Sequence, residues 1–243
     1  MESLTLDPVC ASAYTIDDQR RMSKAKNYFA WQGRLVKQEI GRRVIEVGCG
    51  LGNFTGMLLD CDAVVALDKE EECIERLKQR YRGYPNLHAF TCDVNDDDFF
   101  AFADFKPNSC VCLNVLEHVE DDAGLLRRMA SILPPGGRIV LIVPAFPSLY
   151  GPIDLNLGHY RRYTMRSLRE LAAAVHLRVK SAGYMNAIGF FGWWANSHIF
   201  RRETQSDEQI ELFDRFVVPC LSRMEAFALP PFGQSVFAVL QKP

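Results

Sequence analysis

The sequence predicts an α/β chain built on a doubly wound, mostly parallel sheet of seven strands, with an N-terminal helix and a C-terminal helical insertion. Three observations predict it. Short β-branched runs alternate with amphipathic helical patterns along most of the 243 residues, as in a parallel sheet covered by helices. The first run breaks into glycines at 48, 50 and 52, where a tight turn or a close ligand excludes a Cβ. The first three runs carry or lead into Glu46, Asp68 and Asp93, and the fourth ends in Asn114. Ligands of such sheets lie at the carboxyl ends of the strands.

The elements follow in order. Residues 1–15 read as a tail, and 17–40 as one helix with Phe29, Val36 and Ile40 on one side and Tyr28, Trp31 and Leu35 beside them. The first strand holds Val44, Ile45 and Val47, and a helix is expected beyond Gly52, its free N–H groups suited to a carboxylate or phosphate. Residues 63–68 make a second strand, and 70–81 an amphipathic helix with Ile74, Leu77 and Tyr81 inward. Strands over 87–92 and 109–114 come next, then a helix carrying Leu125, Leu126, Met129, Ile132 and Leu133. A Pro-Pro-Gly-Gly turn at 134–137 enters a fifth strand over 138–143. Thr164 caps a helix with Leu168, Leu171 and Val175 inward. Residues 178–185 and 235–241 are the last strands.

Between them, about 187–230 form a helical insertion with Trp193, Trp194, Leu212, Phe213, Phe216, Leu221 and Met224. The whole, 1–243, reads as one domain: tail and helix to 40, a cofactor-binding core over 41–145, and an acceptor-side half over 146–243.

Composition narrows the partners. Lys and Arg number 28 against 30 Asp and Glu, a net charge of −2, so no electrostatic footprint for nucleic acid is present. The eight cysteines include no C-x-x-C pair and read as reduced, mostly buried thiols of a cytoplasmic protein. No His cluster has metal-ligand spacing, so no metal is expected. Asp96-Asp97-Asp98 reads as a solvated loop. Residues 1–8 lack a signal peptide's basic start and apolar core. No run reaches the ~20 apolar residues of a membrane span.

The glycine spacing separates two classes of cofactor. A dinucleotide fingerprint, G-x-G-x-x-G, needs glycine at 53, where this chain has Asn53. Here the pattern is Glu46-x-Gly48-x-Gly50-x-Gly52. A carboxylate at Asp68 can accept both hydroxyls of a ribose. Asp93 suits the exocyclic amine of adenine, or else caps the segment that follows. Glu46 braces the glycine loop or reaches a cofactor ammonium through water.

This order of motifs, closed by the Pro-Gly-Gly turn, resembles the class I S-adenosylmethionine-dependent methyltransferases. The resemblance implies a Rossmann-like methyltransferase fold, S-adenosylmethionine as cofactor and S-adenosylhomocysteine as product. It places Glu46, Gly48, Cys49, Gly50, Gly52, Asn53, Asp68, Lys69, Asp93, Val94, Asn114 and Val115 at the cofactor. Base-modifying relatives carry Asn/Asp-Pro-Pro-aromatic after the fourth strand; Asn114-Val115-Leu116-Glu117-His118 is similar to the small-molecule branch instead. The implied reaction is in-line methyl transfer to a hydroxyl, carboxylate or amine of a small molecule, such as a natural product or a glycan- or lipid-type metabolite. Methylation of ribosomal RNA or protein, and a non-catalytic cofactor-binding module, are the alternatives.

Leu149-Tyr150-Gly151, Asp154 and Gly158-His159-Tyr160-Arg161-Arg162-Tyr163, followed by Asn186, Gly189, Gly192, Trp193 and Trp194, resemble a bacterial subgroup of that class. His159 or His118 is then the candidate proton acceptor. Tyr150, Asp154, Tyr160, Arg161, Tyr163 and Trp193 are candidate acceptor contacts, and Arg161 or Arg162 a clamp for a carboxylate or phosphate. The alternative for this loop is a scaffold role. The aromatic helices are a core, a lid or a homodimer interface.

Overall fold

All seven apolar runs become strands of one sheet: β1 (Arg43–Val47), β2 (Ala63–Asp68), β3 (Leu87–Thr91), β4 (Ser109–Leu113), β5 (Arg138–Pro144), β6 (Arg178–Met185) and β7 (Ser235–Gln241). The structure, a computed structural model, describes the backbone of residues 8–243 and the side chains from Thr15 onward. Residues 1–7, which hold half of the expected tail and most of the stretch read for a leader, lie outside the described residues. The strand order is β3-β2-β1-β4-β5-β7-β6. β1 to β5 pair in parallel, and β7 runs antiparallel between β5 and β6. The chain's direction of travel across the sheet reverses between β1 and β4, so a crevice opens at their carboxyl ends.

The helices are α1 (Pro8–Met22), α2 (Lys26–Lys37), α3 (Glu71–Arg80), α4 (Asp122–Ser131), α5 (Pro152–Asn156), α6 (Met165–Ala174), α7 (Ala187–Trp194), α8 (Asp207–Leu212) and α9 (Val218–Phe227). α3 and α6 bury the stripes their periodicity marks, around Ile74 and Leu77 and around Leu168. Thr164 caps α6 by accepting from Ser167 N.

The helix expected over 17–40 is two helices. Ser23 Oγ donates to the Arg20 carbonyl (2.6 Å), a local bond that competes with the helix. Ala25 then leaves the helical region at ψ 57°. The break lets α2 use two faces. Phe29, Val36 and Ile40 pack on Val44, Val64, Val111 and Val140 of the sheet, while Tyr28, Trp31 and Leu35 meet Val218 and Leu221 of α9. Half of the expected tail is therefore α1.

No α-helix follows the glycine loop either. Only one 3₁₀ turn forms, Thr55–Met57. Phe54, Leu58 and Cys61 turn into the core beneath β1, and a Cβ on Gly56 would meet the Tyr81 hydroxyl at 2.8 Å. The expected row of helix N-terminal amides is thus replaced by the amides of the loop itself.

The insertion consists of α7, α8 and α9 with two widened π turns, Ala195–Ile199 and Phe213–Val217. Asp214 pins it to the start of α2, accepting from Tyr28 N (2.8 Å) and Asn27 N (3.1 Å). Asn186, at φ 64°, caps α7 through Gly189 N. Among the described residues no helix is long and apolar enough to cross a membrane.

Candidate functional site

The crevice is the mouth of a cavity of about 1640 Å³. At one end stands the glycine loop. Gly48 is held at φ +73° against Val115, and an added Cβ would run into that side chain. Gly50, at φ +51°, passes under Gln19 of α1 with no room for a Cβ. Gln19 closes over the loop: its side-chain oxygen accepts from Leu51 N, and its carbonyl from Asn53 Nδ2 (both 2.7 Å). Sequence reading missed Gln19, because nothing in one helical period says which loop a helix covers.

The acidic residues brace this end. Glu46 Oε2 accepts from the Thr55 hydroxyl (2.6 Å), and burial, with the charge of Asp68 added, pushes its carboxyl up to about 8. Asp68 Oδ2 accepts from Gly50 N (2.7 Å) and Oδ1 from Glu70 N (3.0 Å). Burial raises its carboxyl too, against the pull of those amides. Asp93 makes a local turn, accepting from Asn95 N and Nδ2 (2.8 and 2.9 Å), and does not cap a helix. Glu46, Gly48, Cys49, Gly50, Asn53, Asp68, Lys69, Asp93, Val94, Asn114 and Val115 all reach the cavity wall. Gly52 does not: it backs onto Leu77 and Tyr81, and its carbonyl accepts from the Tyr81 hydroxyl (2.9 Å).

At the other end His118, His159, Tyr160, Arg162, Trp193 and Phe200 reach the wall. The segment 159–163 is laid beside the ends of β4 and β5 by backbone bonds. Tyr160 N donates to the Glu117 carbonyl, Tyr163 N to Pro144 and Phe146 N to Tyr163 (each 2.8 Å). Behind it sits a buried ionic knot. Asp154, fully buried, accepts from His159 Nδ1 and Arg162 Nε (both 2.8 Å) and from Gly151 N (3.0 Å). Burial alone would raise its carboxyl, yet His159 and Arg162 together hold it below the ordinary carboxylate range. Arg162 also donates to the Ala145 carbonyl (3.1 Å) and stacks over Trp193 at 4.7 Å.

Four expected acceptor contacts are therefore corrected. Asp154 is spent on the knot. Arg161 pairs with Asp122 (2.9 Å) and the Glu120 carbonyl (2.7 Å). Tyr163 is buried, its hydroxyl donated to Asp122 (2.9 Å). Tyr150 props the His159 carbonyl (2.6 Å). None of the four lines the cavity; each fastens the loop. Arg162 is no free clamp either, since Asp154 already neutralises it.

The expectation of no metal-ligand cluster also needs correcting. Glu117, His118 and His159 converge on the wall, one ligand atom from each lying within 4.8 Å of the others. Burial, then the neighbouring His159 and Lys69, pushes His118 down to about 3. Burial likewise lowers His159, against the bond to Asp154. Glu117 escaped the sequence reading because it lies four residues past β4, in the turn Leu116–His118; the one local signal is an acid set among apolar residues, which must find a partner or lose its charge when buried.

Comparison with known proteins gives the family and the fold. The family of methyltransferase domains matches residues 14–182. A ubiquinone biosynthesis O-methyltransferase from Xanthomonas euvesicatoria pv. vesicatoria is 30% identical over 109 residues, 42% of this chain and 42% of that one. The chain spans half or less of the length of the curated relatives it matches. Among solved structures, a Haloferax volcanii complex between the Trm112 methyltransferase activator and a methyltransferase aligns over 97% of this chain and 96% of that one, with TM-score 0.61 and 18% identity. Geranyl diphosphate C-methyltransferase from Streptomyces coelicolor A3(2) aligns over 87% and 77%, with TM-score 0.61 and 14% identity. These similarities extend to the Rossmann-like fold.

Proposed function

This chain belongs to the family of methyltransferase domains, and from that premise we propose that it transfers a methyl group from S-adenosylmethionine to a hydroxyl, carboxylate or amine of a small molecule. The observation that carries the reading is one continuous cavity. It joins a glycine cradle with acidic strand ends to an aromatic wall bearing a cluster of titratable groups.

The residues present fit the cofactor. Gly48 and Gly50, both at positive φ, let the loop pack closely against Val115 and Gln19 while its backbone still lines the cavity. Asp68 spends one acceptance per oxygen on loop amides, and a carboxylate offers about four in all, so capacity for two ribose hydroxyls is left. Asp93, Val94 and Lys69 would flank adenine, and Asn114 and Val115 the methionine end. Bound there, the cofactor supplies a methyl group on a sulfonium, displaced in line by the acceptor.

The chain's own task is alignment and exclusion of water. Trp193, Tyr160 and the insertion wall would hold an apolar body, and Glu117, His118 and His159 would orient its polar head and relieve it of a proton. A small molecule is favoured by the concave site and the net charge of −2. The names of the similar proteins agree, one an O-methyltransferase of ubiquinone biosynthesis and one a C-methyltransferase of geranyl diphosphate. The unpaired, buried thiols Cys49, Cys61, Cys73, Cys92, Cys110 and Cys112 suit a reducing, cytoplasmic setting.

Calorimetry with S-adenosylmethionine tests the first half, and a metabolite screen with radiolabelled cofactor the second. Binding of NAD in preference to S-adenosylmethionine would sink the cofactor assignment. Label transferred only to RNA or protein would sink the acceptor class.

A further inference from the structure

The Glu117 side chain is 1% exposed, and neither carboxylate oxygen has a hydrogen-bond partner. A buried carboxylate in that state is costly if charged. Two imidazoles share its corner. His159 Nδ1 bonds an Asp154 oxygen that Arg162 also holds, so that oxygen is anionic and His159 is the donor. The tautomer follows: Nε2 carries the lone pair. It lies 4.0 Å from Glu117 Oε1, too far for a hydrogen bond. The His118 ring meets the His159 ring edge-on, with centroids 4.6 Å apart.

We infer that Glu117, His118 and His159 form a binding site for a divalent first-row transition cation. Two imidazoles and one carboxylate facing an open cavity are a donor set such ions take, with positions left for outside ligands. Asp154 behind His159 is the outer partner that orients a metal-binding imidazole and raises its basicity. An ion holding nitrogen and oxygen at ~2.1 Å each would space them by about 3.4 Å, so the ligand atoms, now within 4.8 Å of one another, would draw together on binding. Two cations face the cluster. Arg162 is neutralised by Asp154, and Lys69 acts on His118 from the cofactor end.

The open positions of the ion face the cavity, where the acceptor's polar head is proposed to sit; with the ion bound, it orients that head in place of the three side chains, whose lone pairs are then spent on the metal. That consequence rests on the proposed function; binding of the ion does not.

The test uses the whole chain, stripped with a chelator and then titrated. Zn²⁺ is followed by calorimetry and Co²⁺ by its visible absorption. One ion per chain is expected, with a nitrogen–oxygen cobalt spectrum free of thiolate charge transfer. Loss of an outer partner costs about 10–100-fold in metal affinity, so Glu117→Gln and His118→Ala should each cost ~100-fold or more. Thermal melts check that both variants fold, and the unmutated titration stands without them. Asp68→Asn should keep the metal affinity while losing affinity for S-adenosylmethionine, so the two readings fail separately. No bound ion in the unmutated protein, a thiolate spectrum, or an affinity in both variants unchanged from the unmutated protein would overturn the site.

Discussion

At the β1–β2 end of the cavity, the contacts that shape the wall lie mostly within the β1–β2 unit, Glu46 to Thr55 and Asp68 to Gly50 and Glu70, with Gln19 reaching in from α1. At the far end the wall is set by closures over long loops: Tyr160 to Glu117, Arg161 and Tyr163 to Asp122, Asp214 to the start of α2. The first end is a motif that carries its own geometry wherever β1 and β2 pair. The second exists only while a buried ionic knot holds 150–163 in place. Changes at the first end should therefore register in ligand binding, and changes at the second in stability.

The largest expected effect is Asp154→Ala. It leaves the Arg162 guanidinium, 1% exposed, buried without its partner, which costs about 3–5 kcal/mol. Urea denaturation should read that loss, while calorimetry on the folded protein should find cofactor affinity nearly unchanged. A cost below about 1 kcal/mol, within the range of exposed pairs, would break the contrast between the two ends.

Next comes Asp68→Ala, with the opposite signature. Losing hydrogen bonds to a carboxylate costs about 1.5–3 kcal/mol, at least a tenfold weakening of S-adenosylmethionine binding. Unchanged affinity would remove Asp68 from the cofactor site. Gly48→Ala sharpens the same end. A left-handed φ of +73° and the collision with Val115 add strain of about 1–3 kcal/mol, and relief of that strain should push the loop out of the cradle. Thermal melts together with calorimetry separate the two consequences.

The last effect is a slope, smallest at any one pH although it accumulates across its window. Glu46 titrates near 8 when folded, against an ordinary 4.5, so the folded state holds its proton more tightly. This contribution is fully present below pH 4.5 and is lost as pH rises through about 8. Stability should decline over that window by at most ~1.4 kcal/mol per pH unit on account of this group. Glu46→Gln keeps an acceptor for Thr55 and should remove that part of the decline. Denaturation midpoints measured across the window check it; an unaltered slope would mean that Glu46 is ionised in the fold.

Legibility followed the same division. The strands and the wall residues from Glu46 to Val115 could be read because strand propensity, a glycine pattern and an acid at a strand end are local signals. The misreadings fell where neighbours decide. The helix expected after Gly52 gave way to a 3₁₀ turn because Phe54, Leu58 and Cys61 are drawn under β1. Tyr150, Arg161 and Tyr163 were expected at the acceptor because their segment resembles the loop of a methyltransferase subgroup, and loops carry function. Their partners, the His159 carbonyl and Asp122, are set by how the loop lies.

By itself, then, the sequence determined the seven strands, the helices α3, α4 and α6, the glycine cradle and the acidic strand ends, since each depends on residues within one or two turns of chain. Tertiary structure alone decided three things. β7 entered antiparallel between β5 and β6, a choice that side-chain alternation does not encode. Gln19 came to cover Gly50, through a break at Ser23 that freed α1 from α2. Glu117, His118 and His159 came into one corner, because the backbone bonds of 160 and 163 to the ends of β4 and β5 carry residue 159 across the sheet. The physical reason is common to all three: such pairings are selected by the burial and hydrogen bonding of groups far apart in the chain, and no local pattern records them.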